Sequence, residues 1–423
     1  MTIFFVSFII LLLVGVPISI SIGASAILGC FALDYPLMVI GQKMTTGIDS
    51  FLLIAIPLFV LAGNLMNAGK ITEKIFDFCQ ELVGWIPGGL GHANVAASII
   101  FAGMSGSAAA DAGGLGTIEM EAMTKNGYDE DFSAAVTAAS SVIGPIFPPS
   151  IPLIIYGSVA SVSVAKLFMG GVLPGLLMGV ALMILVLIFA IKRGYPRTKF
   201  NVKNLVKQFF SSVLSLITPL IILAGFTTGI FTPTEASSIA VIYSFFIALL
   251  VYKTLDFKSF KKCLLDSALT SANTLFIIGT STLFTYVMVK EGISAQIADL
   301  ILGVSSNPAV ILLVINVILL LLGMFMEPGA ILTLMLPVLL PIVNSLGLDL
   351  VHFGVVMVLN LMIGQVTPPF GVCLFIISDV SKVKLERLYK SICPFLIPLI
   401  VVLVMCTYIP GIVTWLPYAL LGK

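Results

Sequence analysis

Charge is scarce in this sequence. Asp, Glu, Lys and Arg make up 10% of its 423 residues, while hydrophobic residues make up 59%. A soluble domain carries roughly 25% charged residues, so the scarcity excludes an ordinary soluble enzyme or binding module and describes a polytopic membrane protein. The near balance of 21 basic and 20 acidic residues says nothing about partners, and no nucleic-acid partner is expected. Histidine is rarer still. His92 and His352 stand alone, with neither an HExxH run nor a Cys/His cluster, which leaves a metal enzyme without support. The six cysteines are scattered without CxxC spacing. Most fall in apolar stretches, where a free cysteine behaves as a small hydrophobe. Sustained period-2 alternation is absent too, which excludes a β-barrel and leaves helices that satisfy their own backbone in lipid. No soluble domain, Pro/Ser-rich linker or low-complexity tract interrupts the chain. Residues 2–33 lack a basic n-region and a small-residue cleavage site, so they read as a retained membrane segment. Whether that segment crosses once or twice, around Gly15-Val16-Pro17, the sequence leaves open.

What is present is a set of apolar stretches: 2–33, 50–68, 90–123, 132–160, 170–191, 211–230, 234–252, 264–289, 308–345, 351–380 and 391–416. One span needs about 20 apolar residues. Stretches 90–123 and 308–345 are too long for one pass and are interrupted by Gly103 to Gly116 and by Gly323 to Gly329, so they read as re-entrant hairpins. Stretches 132–160 and 351–380 are interrupted by Gly144 to Pro149 and Gly364 to Pro369, and each reads as a discontinuous helix. Broken backbone at membrane depth survives only where it is buried in protein or lines a cavity, and there its freed carbonyls and half-helix ends can hold an ion or a solute.

The interruptions repeat. A shift of 220 takes Gly103-Met104 to Gly323-Met324, Gly144 to Gly364, Pro148-Pro149 to Pro368-Pro369, Ser158 to Ser378 and Pro174 to Pro394. A slightly larger shift takes Ile71-Thr72 to Ile293-Ser294. Amphipathic stretches Ile71 to Val83 and Ile293 to Leu302 then read as interfacial arms carrying the hairpins, although periodicity alone fits ordinary connecting helices as well. Orientation follows the basic residues. Placing the clusters Lys70/Lys74, Lys125, Lys192 to Lys207, Lys253 to Lys262 and Lys382 to Lys390 in the cytoplasm leaves Lys43, Lys166, Lys290 and Lys423 outside. The hairpins then approach from opposite faces. The expected organisation is scaffold helices and a first arm (1–85), hairpin and broken helix (86–160), scaffold and connecting helices (161–290), a second arm (291–306), hairpin and broken helix (307–381), and an arm with a C-terminal scaffold helix (382–423). The fold class is all-α and polytopic, with inverted repeats.

Ser105, Ser107 and Asp111 decorate the first tip, and Ser140, Ser141, Gly144 and Pro145 precede the facing break. Hydroxyl and carbonyl oxygens suit a hard monovalent cation, so Ser105, Ser107, Gly144 and Pro145 form one candidate cation site. Small residues could equally serve close helix packing; glycine-rich tip, Pro-Pro break and repeat together favour the site. The second tip has lost its serines, so a second site rests on Gly323, Gly364 and Thr367, with Gln365 and Thr367 joining Ser105 and Ser107 as solute contacts. Among acids in apolar sequence, which are costly there and usually functional, Asp111 and Glu327 suit a role at the tips or in pinning them. Pro148, Pro149, Pro368 and Pro369 shape the breaks. Glu119 and Glu121, near the far end of the hairpin, suit a solvated position, and Glu235 suits a helix N-terminus. No Arg or Lys falls in either interrupted region. An anion would therefore be balanced by bound cations, helix N-termini and hydroxyls. No GxSxG elbow or placed base supports an intramembrane hydrolase.

These motifs resemble one family over nearly the whole chain: the large membrane subunit of tripartite ATP-independent periplasmic (TRAP) transporters. The resemblance is carried by Gly103-Met104-Ser105-Gly106-Ser107, Asp111-Ala112-Gly113-Gly114-Leu115-Gly116, Gly144-Pro145-Ile146-Phe147-Pro148-Pro149-Ser150, Gly229 to Ala236 and Thr367-Pro368-Pro369-Phe370-Gly371. It implies sodium-driven import (Na+ as coupling ion, at two or more sites) by an elevator movement in the bacterial inner membrane. It also implies two partners, a small four-helix membrane subunit and a periplasmic substrate-binding protein. The substrate implied is an organic acid such as a C4-dicarboxylate or a sialic acid, the run from Ala109 to Pro152 looking most like the sialic-acid branch. A standalone ion-coupled anion permease and a channel are the alternative readings.

Overall fold

A computed structural model describes residues 2–227, 229–305 and 307–422, and the side chains of all of these except Thr2, Phe226 and Thr227; Lys423, expected outside, lies beyond them. No strand occurs among the described residues, and eight helices are long and apolar enough to cross a membrane. The first apolar stretch forms α1 (Thr2–Leu13) and α2 (Ile18–Ala32), parted at Gly15-Val16-Pro17. A Cβ on Gly29 would lie 2.7 Å from the Phe4 ring, so the two helices double back on each other. Then come α3 (Met38–Ile48), α4 (Ala55–Ala68) and α5 (Ile71–Val83). The apolar face of α5, with Ile71, Ile75, Phe76 and Cys79, is buried against α6 (Gly89–Ser105) and α12 (Val202–Thr227).

Hairpin 1 consists of α6, a turn at Gly106-Ser107, α7 (Ala108–Ala110), a π-helical turn (Asp111–Leu115) and α8 (Gly116–Lys125). The sequence suggested a break from Gly103 to Gly116. The actual break is two residues, and the glycines beyond it widen the helix rather than end it. Gly106 adopts φ +60°, and a Cβ there would come within 2.7 Å of the Pro149 carbonyl oxygen, so only glycine fits both the turn and the approach. The first broken helix is α9 (Glu130–Ser141) and α10 (Ile151–Ala160); α11 (Val164–Arg193) follows. After α12, α13 (Pro233–Phe246) opens on a capping box in which Thr232 and Glu235 satisfy each other's backbone N–H, so Glu235 is a helix-terminal acid as expected. The long α14 (Phe257–Lys290) leads to α15 (Ile293–Leu302).

The second half repeats the first. Hairpin 2 is α16 (Pro308–Phe325) and α17 (Pro328–Ser345), turned at Met326-Glu327. The second broken helix is α18 (Leu350–Gly364) and α19 (Val372–Ser381), followed by α20 (Leu385–Tyr408) and α21 (Gly411–Leu421). The peptides Pro148-Pro149 and Pro368-Pro369 are both cis.

Side-chain contacts show the repeats to be inverted. At one end of the molecule Tyr156, late in α10, donates to the Leu350 carbonyl at the start of α18, 2.7 Å away. At the other end Arg387, in the first turn of α20, which follows α19, pairs at 2.9 Å with Asp131 at the start of α9. The two broken helices therefore run antiparallel, each ending where the other begins. Hairpin 1 leads into α9 and hairpin 2 into α18, so the hairpins enter from opposite ends. Each then packs on the other half's distal segment: α19 lies against hairpin 1, and α10 against α17.

Candidate functional site

The two tips and two breaks meet around a cavity of about 400 Å³. Hairpin 1 contributes Ser105, Gly106, Ser107 and Ala108; hairpin 2 contributes Glu327, Pro328 and Gly329. Pro145, Ile151 and Pro152 come from the first break, and Met362, Gln365 and Val372 from the second. A further wall comes from α4 and α14. No lysine, arginine or histidine lines it among the described residues.

Helix ends set its electrostatics. The first residues after each break or turn, at Ala108, Ile151, Pro328 and Val372, all line the cavity, so four helical segments present their N-terminal, partially positive ends to one space. The C-terminal ends of α6, α9 and α18 run into the turn and the breaks, where the last carbonyls of α9 and α18 each accept one turn N–H, Gly144 to Ser141 at 3.2 Å and Thr367 to Gly364 at 3.0 Å, and keep a second lone pair. The arrangement sets the partially positive ends of helices, suited to an anion, beside carbonyl oxygens, suited to a cation, around one cavity.

Ser105 is 2% exposed, and its Oγ has no hydrogen-bond partner among the described residues. A buried hydroxyl left unpaired costs about 1–3 kcal/mol. Ser107 accepts from the Ala110 N–H at 3.4 Å and thereby caps the descending helix. Its carbonyl oxygen lies where a Cβ on Gly144 would be 3.7 Å away, so Ser107 and Gly144 are brought together, with Pro145 on the cavity wall. Ser150 closes the break by donating to the Pro145 carbonyl and accepting from Leu153 N–H at 3.2 Å. Sequence reasoning assigned Ser150 no role, although a serine before Ile151-Pro152 has the pattern of an N-cap.

In the second half, Gly323 and Gly364 touch: a Cβ on Gly364 would lie 2.7 Å from the Gly323 Cα. Gln365 lines the cavity and donates to the Met326 carbonyl at 3.3 Å, tying the break to the tip. Thr367 does not line the cavity; its hydroxyl donates to the Ile363 carbonyl at 2.7 Å. The prolines Pro148, Pro149, Pro368 and Pro369 stand behind the lining. Glu327 faces the cavity, whereas Asp111 is buried behind the first tip, 3.5 Å from the Ser98 hydroxyl.

Glu119 departs from its expected solvated position. It is fully buried, and neither carboxyl oxygen has a hydrogen-bond partner among the described residues. Glu121, on the opposite helix face, is exposed and paired with Lys125 at 2.5 Å. Two amide networks, neither expected from the sequence, fix each hairpin to its own broken helix. Asn94 donates to Thr137 and accepts from Ser140, both at 2.8 Å. In the second repeat Asn360, which the 220-residue shift aligns with Ser140, donates to Asn316 at 2.9 Å.

Comparison with known proteins agrees with this architecture. The profile of the family described as "Tripartite ATP-independent periplasmic transporter, DctM component" matches residues 5–412. The sialic acid TRAP transporter large permease protein of Vibrio cholerae is 44% identical over 382 residues, covering 90% of each chain. The C4-dicarboxylate TRAP transporter large permease protein of the same organism is 36% identical over 437 residues, covering 97% of this chain and 96% of that one. The crystal structure of the YdaH transporter of Alcanivorax borkumensis superposes with a TM-score of 0.65 over 89% of this chain and 88% of that chain, at 12% identity, a likeness of fold alone.

Proposed function

This chain belongs to the large-permease (DctM component) family of tripartite ATP-independent periplasmic transporters, and from that premise we propose that it imports an organic acid across the inner membrane with sodium as the coupling ion. It is a multi-pass transporter subunit, not an enzyme. The observation that carries the proposal is the cavity between the tips, where four helix N-termini converge without a basic side chain. The N-termini receive the carboxylate of the solute. The carbonyl ends of α6 and α9, with Ser105, Ser107, Gly144 and Pro145, receive one sodium ion, and the Gly323–Gly364 contact with the Thr367 turn receives another. A cation bound beside the carboxylate offsets the penalty of burying its charge, so ion and solute bind cooperatively. The hairpins with their broken helices move as a unit against the remaining helices. A periplasmic binding protein delivers the solute, and a small four-helix membrane subunit completes the complex. The solute is sialic-acid-like or C4-dicarboxylate-like.

Reconstitution with the small subunit, with binding protein and solute outside the vesicles, tests this. Uptake should follow an inward sodium gradient and should fall to background when choline replaces sodium. Equal uptake in choline would remove the coupling. Uptake that persists without binding protein would identify a standalone permease.

A further inference from the structure

The part of the cavity lining contributed by α4 and α14 is not used by the proposed ion and carboxylate sites. It consists of Val60, Gly63 and Asn64 on α4 and Thr270 and Thr274 on α14. These two helices pack on each other, and α14 also packs on α2 and α3. Asn64 is held in place by its Nδ2, which donates to the Ser267 hydroxyl at 2.8 Å. Among the described residues its amide oxygen has no partner. Thr270 and Thr274 lie one turn apart on one helix face, and the Thr274 hydroxyl donates to the Thr270 carbonyl at 3.0 Å, keeping its lone pairs free to accept. The Thr270 hydroxyl has no partner among the described residues. Ser105, whose nine-tenths-buried hydroxyl is unpartnered, adjoins this wall: a Cβ on Gly63 would lie 3.5 Å from the Ser105 Cα and Cβ. The lining thus combines two chemically different sets of groups. One presents helix N-termini suited to a carboxylate. The other presents neutral hydroxyl and amide groups and nothing that would balance a second negative charge.

We propose that Asn64, Thr270 and Thr274 are specificity-determining residues that hydrogen-bond the hydroxyl groups of the solute, and that the solute is a hydroxylated monocarboxylic acid of the sugar-acid class rather than a dicarboxylate. The inference rests on the reading of this cavity as the transport site. Hydroxyls on α14 recognise the part of the solute remote from its carboxylate. Because a site built to hydrogen-bond a hydroxyl leaves its own groups unpaired with a solute that lacks one, it discriminates against that solute.

The test is the uptake of N-acetylneuraminic acid and of succinate by the reconstituted complex, each with a binding protein that delivers it. Wild type should take up the first and not the second. Thr270→Val and Thr274→Val keep the side-chain shape and remove the hydroxyl. Each should raise KM for N-acetylneuraminic acid roughly three- to tenfold, with the maximal rate and the sodium half-saturation little changed. Thr270→Ser and Thr274→Ser should return KM to within about twofold of wild type. A partly misfolded preparation lowers the maximal rate and leaves KM alone, so the readout separates recognition from folding. Should a valine variant fail to assemble, the alanine variant at that position replaces it. A KM that stays at the wild-type value in both valine variants, or serine variants as impaired as valine, would overturn the assignment while leaving the transport site standing. Succinate uptake in preference to N-acetylneuraminic acid would overturn the substrate class. Absence of sodium-driven uptake of either would overturn the transport reading and this inference with it.

Discussion

Ser105 and Glu119 are both buried polar side chains without partners, but they differ in where they point. Ser105 faces the cavity, so a bound ion or solute can complete it; Glu119 lies behind the hairpin, away from the lining. Replacing Ser105 by alanine removes an unpaired hydroxyl and leaves packing unchanged. Its expected effect on folding is neutral or stabilising by up to about 1 kcal/mol, while sodium-driven uptake falls at least tenfold. Thermal unfolding of the purified complex, set beside uptake, checks this, and a parallel loss of both would reduce Ser105 to a packing residue. The serine was legible in the sequence because it interrupts an apolar run beside Gly103 and Gly106. Glu119 was misread for a physical reason. It shares a helix face with Leu115 and Met123, both fully buried, and that spacing was the available signal. Glu121, two residues on, is exposed and paired with Lys125, as a solvated acid near the hairpin end should be.

Elements with glycine or proline at their ends were the readable ones, because each such residue forbids regular helix at a known place. Both hairpins, both broken helices and the 220-residue register follow from those residues together with the lengths of the apolar stretches they interrupt. Helix α3 escaped notice: Met38–Ile48 contains Gln42, Lys43 and two threonines, so no apolar run announces it, and none of its residues is buried. The amide pairs were equally hidden, since Asn94 and Ser140 are 46 positions apart and only the fold brings them together. Close approach between elements gives a sharper expectation. At Gly364 an added Cβ meets the backbone of Gly323 at 2.7 Å, where no side chain can swing aside. Gly364→Ala should therefore push hairpin 2 off α18, destabilising the protein by about 1–3 kcal/mol and more if the backbone cannot yield. Gly113→Ala is the matched comparison. Its added methyl would meet only an Ile376 side-chain carbon at 3.6 Å, an ordinary contact, so its effect should stay within about 0.5 kcal/mol. Comparable melting temperatures for the two variants would mean that the Gly323–Gly364 contact is not what seats the second tip.

At the scale of the whole molecule, the placement of basic residues and the antiparallel course of the broken helices are independent observations that agree. Asp131 pairs with Arg387, and neighbouring Asp129 with Arg193 at 2.8 Å, so the start of α9 sits among residues expected in the cytoplasm. There the Tyr195 hydroxyl and the Arg193 guanidinium hold the Asp129 carboxyl below the usual carboxylate range. At the opposite end Lys166, one of the few basic residues expected outside, lies 5.6 Å from the centre of the Tyr418 ring, and Tyr418 donates to Asp349 at the start of α18. The two hairpin bases therefore lie at opposite ends of the molecule, and the expectation is that the base of hairpin 1 is cytoplasmic and that of hairpin 2 periplasmic. Asn126 and Ser345, exposed at the two bases, report on this directly. With Cys393, the one exposed cysteine among the described residues, replaced by serine, Asn126→Cys and Ser345→Cys can be labelled with a membrane-impermeant maleimide. In intact spheroplasts Ser345→Cys should react and Asn126→Cys should not; inside-out vesicles should reverse the pattern. Because each hairpin leads directly into its own broken helix, labelling of both cysteines from one side would put the two tips on parallel rather than opposed paths. The cavity could not then be reached from both faces of the membrane.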